Sequence, residues 1–285
     1  MNVFLTGATG YIGHHCMHEL LDAGHTVSAL SRRDNNSTVS GVKWIRGSLE
    51  TLEAVQSEYA AADVIVHCAM EYRDNIEASD IDAAAMKVLL ASGKFIVSTG
   101  NLYTCDTGKN GLIEESLQPS SNNWRNTAEE AILANSAGGA IIRPSFVYGG
   151  TGGYFWQIFE PDNDGKVFYC GAGSNTWPMV HVKDLAKLFR FVAEQRAAGV
   201  FHAWDGHNIS VADMAGVACK HQGGKLEQTD YAAAHKRLGA FASHMMRTIQ
   251  PTAGRTAKLG WSPEHPSFEE AAAEAFCDYK ANLQA

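Results

Sequence analysis

No stretch of the sequence approaches the ~20 consecutive apolar residues needed to cross a bilayer, and none of its cysteines forms a Cys-x-x-Cys pair. Cys16, Cys68, Cys105, Cys170, Cys219 and Cys277 are spread singly along the chain. That pattern points away from a disulfide-stapled scaffold and toward reduced packing thiols in a reducing compartment. Basic charge is also scarce. Lys and Arg total 23 against 31 Asp and Glu, for a net charge of −8, and the basic runs stop at "SRR" (Ser31–Arg33) and "HKR" (His235–Arg237). A nucleic-acid partner calls for a basic face, so none is expected, and no membrane partner either. The chain begins directly on a strand-like "NVFLTG" with no charged or apolar leader, so a cytoplasmic location is expected. Internal repeats and low-complexity tracts are absent as well.

What is present is an alternation of short apolar runs with longer helical patterns. "NVFLT", "TVSAL", "VKWIR", "DVIVHCA", "KFIVST" and "GAIIRPS" read as strands, several of them apolar on both faces. Helices are expected between them over 11–23, 49–59, 76–91 and 123–137. This order predicts an α/β fold, a doubly wound parallel sheet that binds its ligand at the carboxyl ends of the strands. Past Gly149 the rhythm changes, so residues 1–149 are expected to form a dinucleotide-binding domain to which 178–204 return. Residues 150–177 and 205–285 are expected to form a smaller substrate lobe.

The turn "LTGATGYIG" joins the first strand to the first helix. Gly7 permits a tight turn, Gly10 lets a pyrophosphate approach the backbone, and Gly13 lets the helix pack against the sheet. The helix start then offers free N–H groups and a positive dipole end to phosphates. Flanking strand and helix are both present, which is the context a dinucleotide fingerprint requires.

The Gly-x-x-Gly-x-x-Gly spacing of "TGATGYIG" resembles the extended and atypical branches of the short-chain dehydrogenase/reductase superfamily. "VIVHCA", "FIVSTGNLY", "IIRPSFVYG", "VHVKDLAKLF" and "KLGWSPEHPSFEEA" resemble its further segments in order. The resemblance spans nearly the whole chain. It implies a Rossmann domain with Gly7, Thr9, Gly10, Tyr11, Ile12 and Gly13 around the pyrophosphate. Ser48, Leu49, Cys68, Ala69 and Met70 would border the adenine ribose, and Pro144, Ser145 and Val147 the nicotinamide. A monomer or homodimer is implied too.

An NAD-preferring site usually ends its second strand in Asp or Glu, which binds the ribose hydroxyls. Here that strand ends "SALSRRDNN", with Ser31, Arg32 and Arg33 in place of the acid. A hydroxyl and guanidinium groups suit a 2′-phosphate, which a carboxylate repels. NADP(H) is therefore the expected cofactor, with NAD(H) the alternative and two merely solvated arginines the bland reading. Asp34 falls too late in the chain to serve.

Relatives of this type carry a Tyr-x-x-x-Lys pair in which the Tyr moves a proton and the Lys holds the nicotinamide ribose. Aligning their "AEE" helix on Ala128–Glu130 puts Ser121 in the Tyr position and Arg125 in the Lys position. Apart from Tyr148, no Tyr lies between Asp106 and Gly153. Arg125 keeps the cation but does not titrate usefully, and Ser121 is a poor acid. Ser98 or Thr99 can still polarise a carbonyl. Tyr103, after "STGN", is the most attractive substitute acid, against the alternative of a packed aromatic. Glu71 and Tyr72 follow the fourth strand, where a solvated loop acid is the ordinary reading. His14 and His18 lie one helical turn apart but lack further ligands, so no metal is expected. His181 suits support of the fold. Trp124, Trp156 and Trp177 suggest an apolar or aromatic small-molecule substrate.

Three functions fit these features: an NADP(H)-dependent oxidoreductase acting on a carbonyl or related group, a nucleotide-sugar-type epimerase or dehydratase, or a catalytically silent NmrA-like sensor.

Overall fold

The apolar runs pair side by side. In the computed structural model, which describes residues 1–34, 39–70, 78–116, 124–150, 153–265 and 267–283, seven strands form one sheet. They are β1 (Asn2–Thr6), β2 (Thr26–Ser31), β3 (Val42–Arg46), β4 (Val64–His67), β5 (Phe95–Thr99), β6 (Gly139–Pro144) and β7 (Gly199–Ala203). Their order is β7-β6-β5-β4-β1-β2-β3, and every neighbouring pair is parallel. The order reverses between β1 and β4, which opens a crevice at their carboxyl ends. Glu71, Tyr72 and Ser121 lie outside the described residues, as does the side chain of Arg125.

Strand residues alternate between two cores, as the two-residue period of a β-strand requires. Val3, Leu5, Val66 and Val97 face α1 (Tyr11–Asp22), with Cys16, Met17 and Leu20 of that helix buried against them. Phe4, Ile65, Ile96 and Ile141 face α2 (Ala78–Ala91) and α3 (Trp124–Leu133) on the other side. A fourth helix, α4 (Val182–Gln195), returns to cover the α1 side through Leu185, Leu188, Phe189 and Val192. The helix expected over 49–59 is instead a 3₁₀ segment, Leu49–Val55, followed by a short helix, Gln56–Ala60. The break is at Thr51, whose φ of −110° and ψ of 17° are not helical.

A second core lies beside the sheet, built from aromatic side chains of residues after Leu102. The helices Val211–Gln222 and Phe268–Leu283 contribute to it, with a three-stranded sheet of Phe146–Tyr148, Thr176–His181 and Asn208–Ser210. Trp156 and Trp177 are 1% and 0% exposed within it. They are packing residues of this lobe rather than walls of an open cleft, so they carry no information about a substrate. Among the described residues, no helix is long and apolar enough to cross a membrane.

One buried ion pair joins α3 to the sheet. Arg143, near the end of β6, places Nη2 2.5 Å from Glu129 Oε2 and donates from Nη1 to the Ser116 carbonyl at 3.2 Å. Both partners are buried. Glu129 sits one turn after Arg125, so this pair fixes the seat of the helix on which Arg125 stands. Glu129→Ala is expected to lower the unfolding free energy by about 3–5 kcal/mol, because it leaves the Arg143 charge uncompensated in the core. Urea unfolding measures the loss, and a change under ~1 kcal/mol would show that the pair does not seat α3.

Candidate functional site

The glycine-rich turn packs against the end of β4 more tightly than a side chain allows. Gly7 adopts a φ of +79°, and a Cβ there would stand 2.6 Å from both Ala69 N and Cys68 C. Gly13 lies where a Cβ would meet the Gly7 carbonyl oxygen at 2.2 Å, so α1 runs directly under the turn. Thr9 and Gly10 are exposed, and Tyr11 and Ile12 are half-buried. Gly10 caps α1 with no side-chain hydrogen bond, and the first turn carries no acidic residue. The first N–H groups of the helix are thus left to a ligand, which is the arrangement a pyrophosphate needs. Tyr11 closes the flank, donating from its hydroxyl to the Gly149 carbonyl at 2.6 Å.

Cys68, Ala69 and Met70 are half-buried beyond β4, facing this turn across the crevice. Thr99 ends β5 next to them and donates from Oγ1 to the His67 carbonyl at 3.3 Å. Ser98 is buried one residue earlier, in register with His67. Pro144 and Ser145 are buried and Val147 is half-buried where the chain leaves β6. The turn, the 68–70 segment and Thr99 therefore come together at the strands' carboxyl ends.

The end of β2 differs from expectation in one respect. Ser31 is buried, and its hydroxyl is engaged locally: Oγ donates to the Arg33 carbonyl at 2.8 Å and accepts from Arg33 N at 3.3 Å. It shapes the turn rather than presenting a hydroxyl to a phosphate. Arg32 and Arg33 remain exposed on that turn. Asp34, the nearby acid, is 2.9 Å from Arg46 at the end of β3. Ser48 likewise serves a cap, its backbone N–H donating to Thr51 Oγ1 at 2.8 Å. Leu49 is buried beneath it.

Tyr103 is not placed as a proton donor. Its ring packs in the aromatic lobe core, 5.3 Å from Trp177, 6.2 Å from Phe146 and 6.1 Å from His244. Burial pushes its pKa well above the ordinary phenol value, and Arg247 offsets this only in part. A phenol whose pKa rises is a weaker acid at neutral pH. His181 is also structural. It accepts from Lys183 N at 3.2 Å as the cap of α4 and stacks on His265 at 3.6 Å. Burial, with His265 beside it, lowers its pKa to about 3 and keeps the ring neutral.

Sequence reading missed a buried polar row. His67 takes Thr6 Oγ1 at 2.8 Å on Nδ1 and Asp82 Oδ1 at 3.3 Å on Nε2. The only sequence signal was a polar residue closing each of two otherwise apolar strands.

The geometry yields a direct test of the turn. Gly10 has a φ of −89°, which alanine tolerates, and an added Cβ would lie 3.2 Å from the Gly7 oxygen. Gly10→Ala is expected to fold with nearly unchanged thermal stability yet weaken NADPH binding about tenfold or more, a loss of ~1.4 kcal/mol. Calorimetric titration showing unchanged affinity would remove the pyrophosphate from this turn.

Comparison with known proteins follows the same outline. Residues 3–91 match the family model described as the NAD dependent epimerase/dehydratase family. An uncharacterised protein of Schizosaccharomyces pombe is 30% identical over 94% of this chain and 97% of its own length. A 3-diazoavenalumate denitrifying reductase of a Streptomyces species is 26% identical over 95% of this chain and 98% of its own. Among solved structures, the human epimerase family protein SDR39U1 with NADPH superposes with a TM-score of 0.77 at 19% identity, covering 98% of this chain and 100% of that one. The chain belongs to the NAD-dependent epimerase/dehydratase family of NAD(P)-dependent enzymes, with the fold of extended short-chain dehydrogenases/reductases.

Proposed function

We propose that the protein is an NADP(H)-dependent oxidoreductase that reduces a carbonyl or related group of a small organic molecule. The observation that carries the cofactor choice is the end of β2. Arg32 and Arg33 stand exposed on a turn shaped by Ser31, and Asp34, next in the chain, pairs with Arg46. The exposed guanidinium groups there suit a 2′-phosphate. The NADPH bound to SDR39U1 and the reductase named among the relatives support the same reading.

When bound, the reduced nicotinamide supplies a hydride. Thr99 orients the acceptor: its hydroxyl bond to the His67 carbonyl is long, at 3.3 Å, and a substrate oxygen can replace it. Arg125, at the start of α3, holds the nicotinamide ribose in place of the family's lysine. Its charge persists at any working pH, so it anchors without moving a proton. With Tyr103 in the lobe core and no Tyr aligned with the family's position in the sequence, this reading takes the proton that completes the alcohol from water at the open end of the sheet.

The test is consumption of reduced nicotinamide in the presence of aldehydes, ketones and enones. Turnover with NADPH is expected for at least one class. Thr99→Val should lower kcat by about 10²-fold, the scale of losing one donor to a developing oxyanion, while Tyr103→Phe should retain it within about twofold. Loss of turnover in Tyr103→Phe without loss of stability would overturn the solvent-proton reading. NADPH binding without turnover on any class would favour the silent sensor. Isomerisation or dehydration of a nucleotide sugar without net nicotinamide consumption would favour the epimerase or dehydratase.

A further inference from the structure

Three side chains at the carboxyl ends of the central strands form a continuous buried chain of hydrogen bonds. Thr6 closes β1, His67 closes β4 directly beside it, and the two are register partners. Asp82 reaches them from α2. Thr6, His67 and Asp82 are 0%, 3% and 8% exposed. Thr6 Oγ1 also accepts the Ala69 N–H at 3.3 Å. The Thr6 hydroxyl is placed to donate to Nδ1 of His67, which leaves Nε2–H to donate to the Asp82 carboxylate. In this arrangement each ring nitrogen of His67 has a side-chain partner.

Each end of the chain meets a segment of the site. Thr6 immediately precedes Gly7, whose backbone the glycine-rich turn depends on. The Ala69 N–H belongs to the segment that crowds Gly7 from across the crevice. The carbonyl of His67 accepts the Thr99 hydroxyl at 3.3 Å. Parallel pairing alone does not extend this far, because Gly7, Ala69 and their neighbours lie beyond the last register pair of β1 and β4. Past that point the described contacts between the two segments are one backbone bond, from Cys68 N to the Thr6 carbonyl at 3.1 Å, the Ala69 N–H bond to Thr6 Oγ1 and the close approach at Gly7.

We propose that Asp82, His67 and Thr6 are positioning residues for the cofactor, a buried relay that sets the spacing between the glycine-rich turn and the 68–70 segment. The imidazole is the spacer. Asp82 fixes its rotation and tautomer, and Thr6 transmits that position to Ala69 and Gly7. None of the three touches the reacting atoms. The relay acts on binding, and through the His67 carbonyl on the placement of Thr99. The inference rests on the reading that the glycine-rich turn holds a nicotinamide dinucleotide.

The experiment compares NADPH affinity, by calorimetric titration of the full chain, in wild type, Thr6→Val, Thr6→Ser and Asp82→Asn. Thr6→Val keeps shape and loses the hydroxyl, and Thr6→Ser restores it. Ile209→Val, in the lobe core away from the turn, serves as a control for a general loss of stability comparable to that of one lost hydrogen bond. The expected result is a Kd raised about tenfold in Thr6→Val and Asp82→Asn, near wild type in Thr6→Ser, and unchanged in Ile209→Val. Should Thr6→Val prove unfolded, Asp82→Asn decides alone, since it keeps the size of the side chain while removing the charge and replacing one acceptor oxygen with an amide donor. Wild-type affinity in folded Thr6→Val or Asp82→Asn would overturn the relay, as would an equal loss in Ile209→Val. Absence of NADPH binding in wild type would instead overturn the cofactor reading on which the relay rests.

Discussion

The close approach of the β1–α1 turn to the end of β4 is the constraint on which the site depends. At Gly7 a single methyl group would lie 2.6 Å from the Cys68–Ala69 peptide, so backbone meets backbone with nothing between. That contact draws the start of α1 under the crevice where the strand order reverses. The first N–H groups of the helix then face the crevice, where the proposed cofactor would place its pyrophosphate. Gly13 repeats the requirement one turn later, since α1 passes beneath the Gly7 carbonyl. Glycine at these positions is a steric necessity in this chain.

Around that contact, buried polar groups hold the platform that apolar packing alone would leave adjustable. Dispersion and burial bring the strands together, but they do not fix the rotation of a loop beyond its last ladder bond. Hydrogen bonds in a low dielectric do so, because an unmatched partner there is costly. Thr6, His67 and Asp82 work on the cofactor side of the sheet. Arg143 and Glu129 work on the α3 side, under the helix that begins with Trp124 and Arg125. In the function proposed above, the reaction centre between them works without the usual phenol, with Thr99 orienting the substrate and Arg125 in the lysine position.

Much of this was legible in the sequence. The parallel sheet followed from apolar runs at regular spacing, and the glycine-rich turn from three residues whose context could be checked locally. Local patterns did not reveal which polar side chains meet in the interior. His67 and Asp82 are 15 residues apart and Arg143 and Glu129 14, on elements whose relative placement only the folded sheet determines. Tyr103, Trp156 and Trp177 misled for the same reason. A strand-end aromatic in sequence can face a cleft or a neighbouring lobe, and here the lobe core takes all three. Ser31 misled on a smaller scale, because a serine beside two arginines can bind the ligand or the backbone of its own turn, and it binds the turn. Helix 49–59 failed at Thr51, where a cap interaction outweighs helical continuation.

The central claim is that this Rossmann domain selects NADP(H) through the arginines after β2. Calorimetric titration of the wild-type protein with NADPH and with NADH tests it without requiring a substrate. The two cofactors differ only at the 2′-phosphate, so their affinity ratio reads that contact alone. The account predicts that NADPH binds at least about tenfold more tightly, the scale of one charge-assisted hydrogen bond. Equal affinities, or tighter binding of NADH, would contradict it.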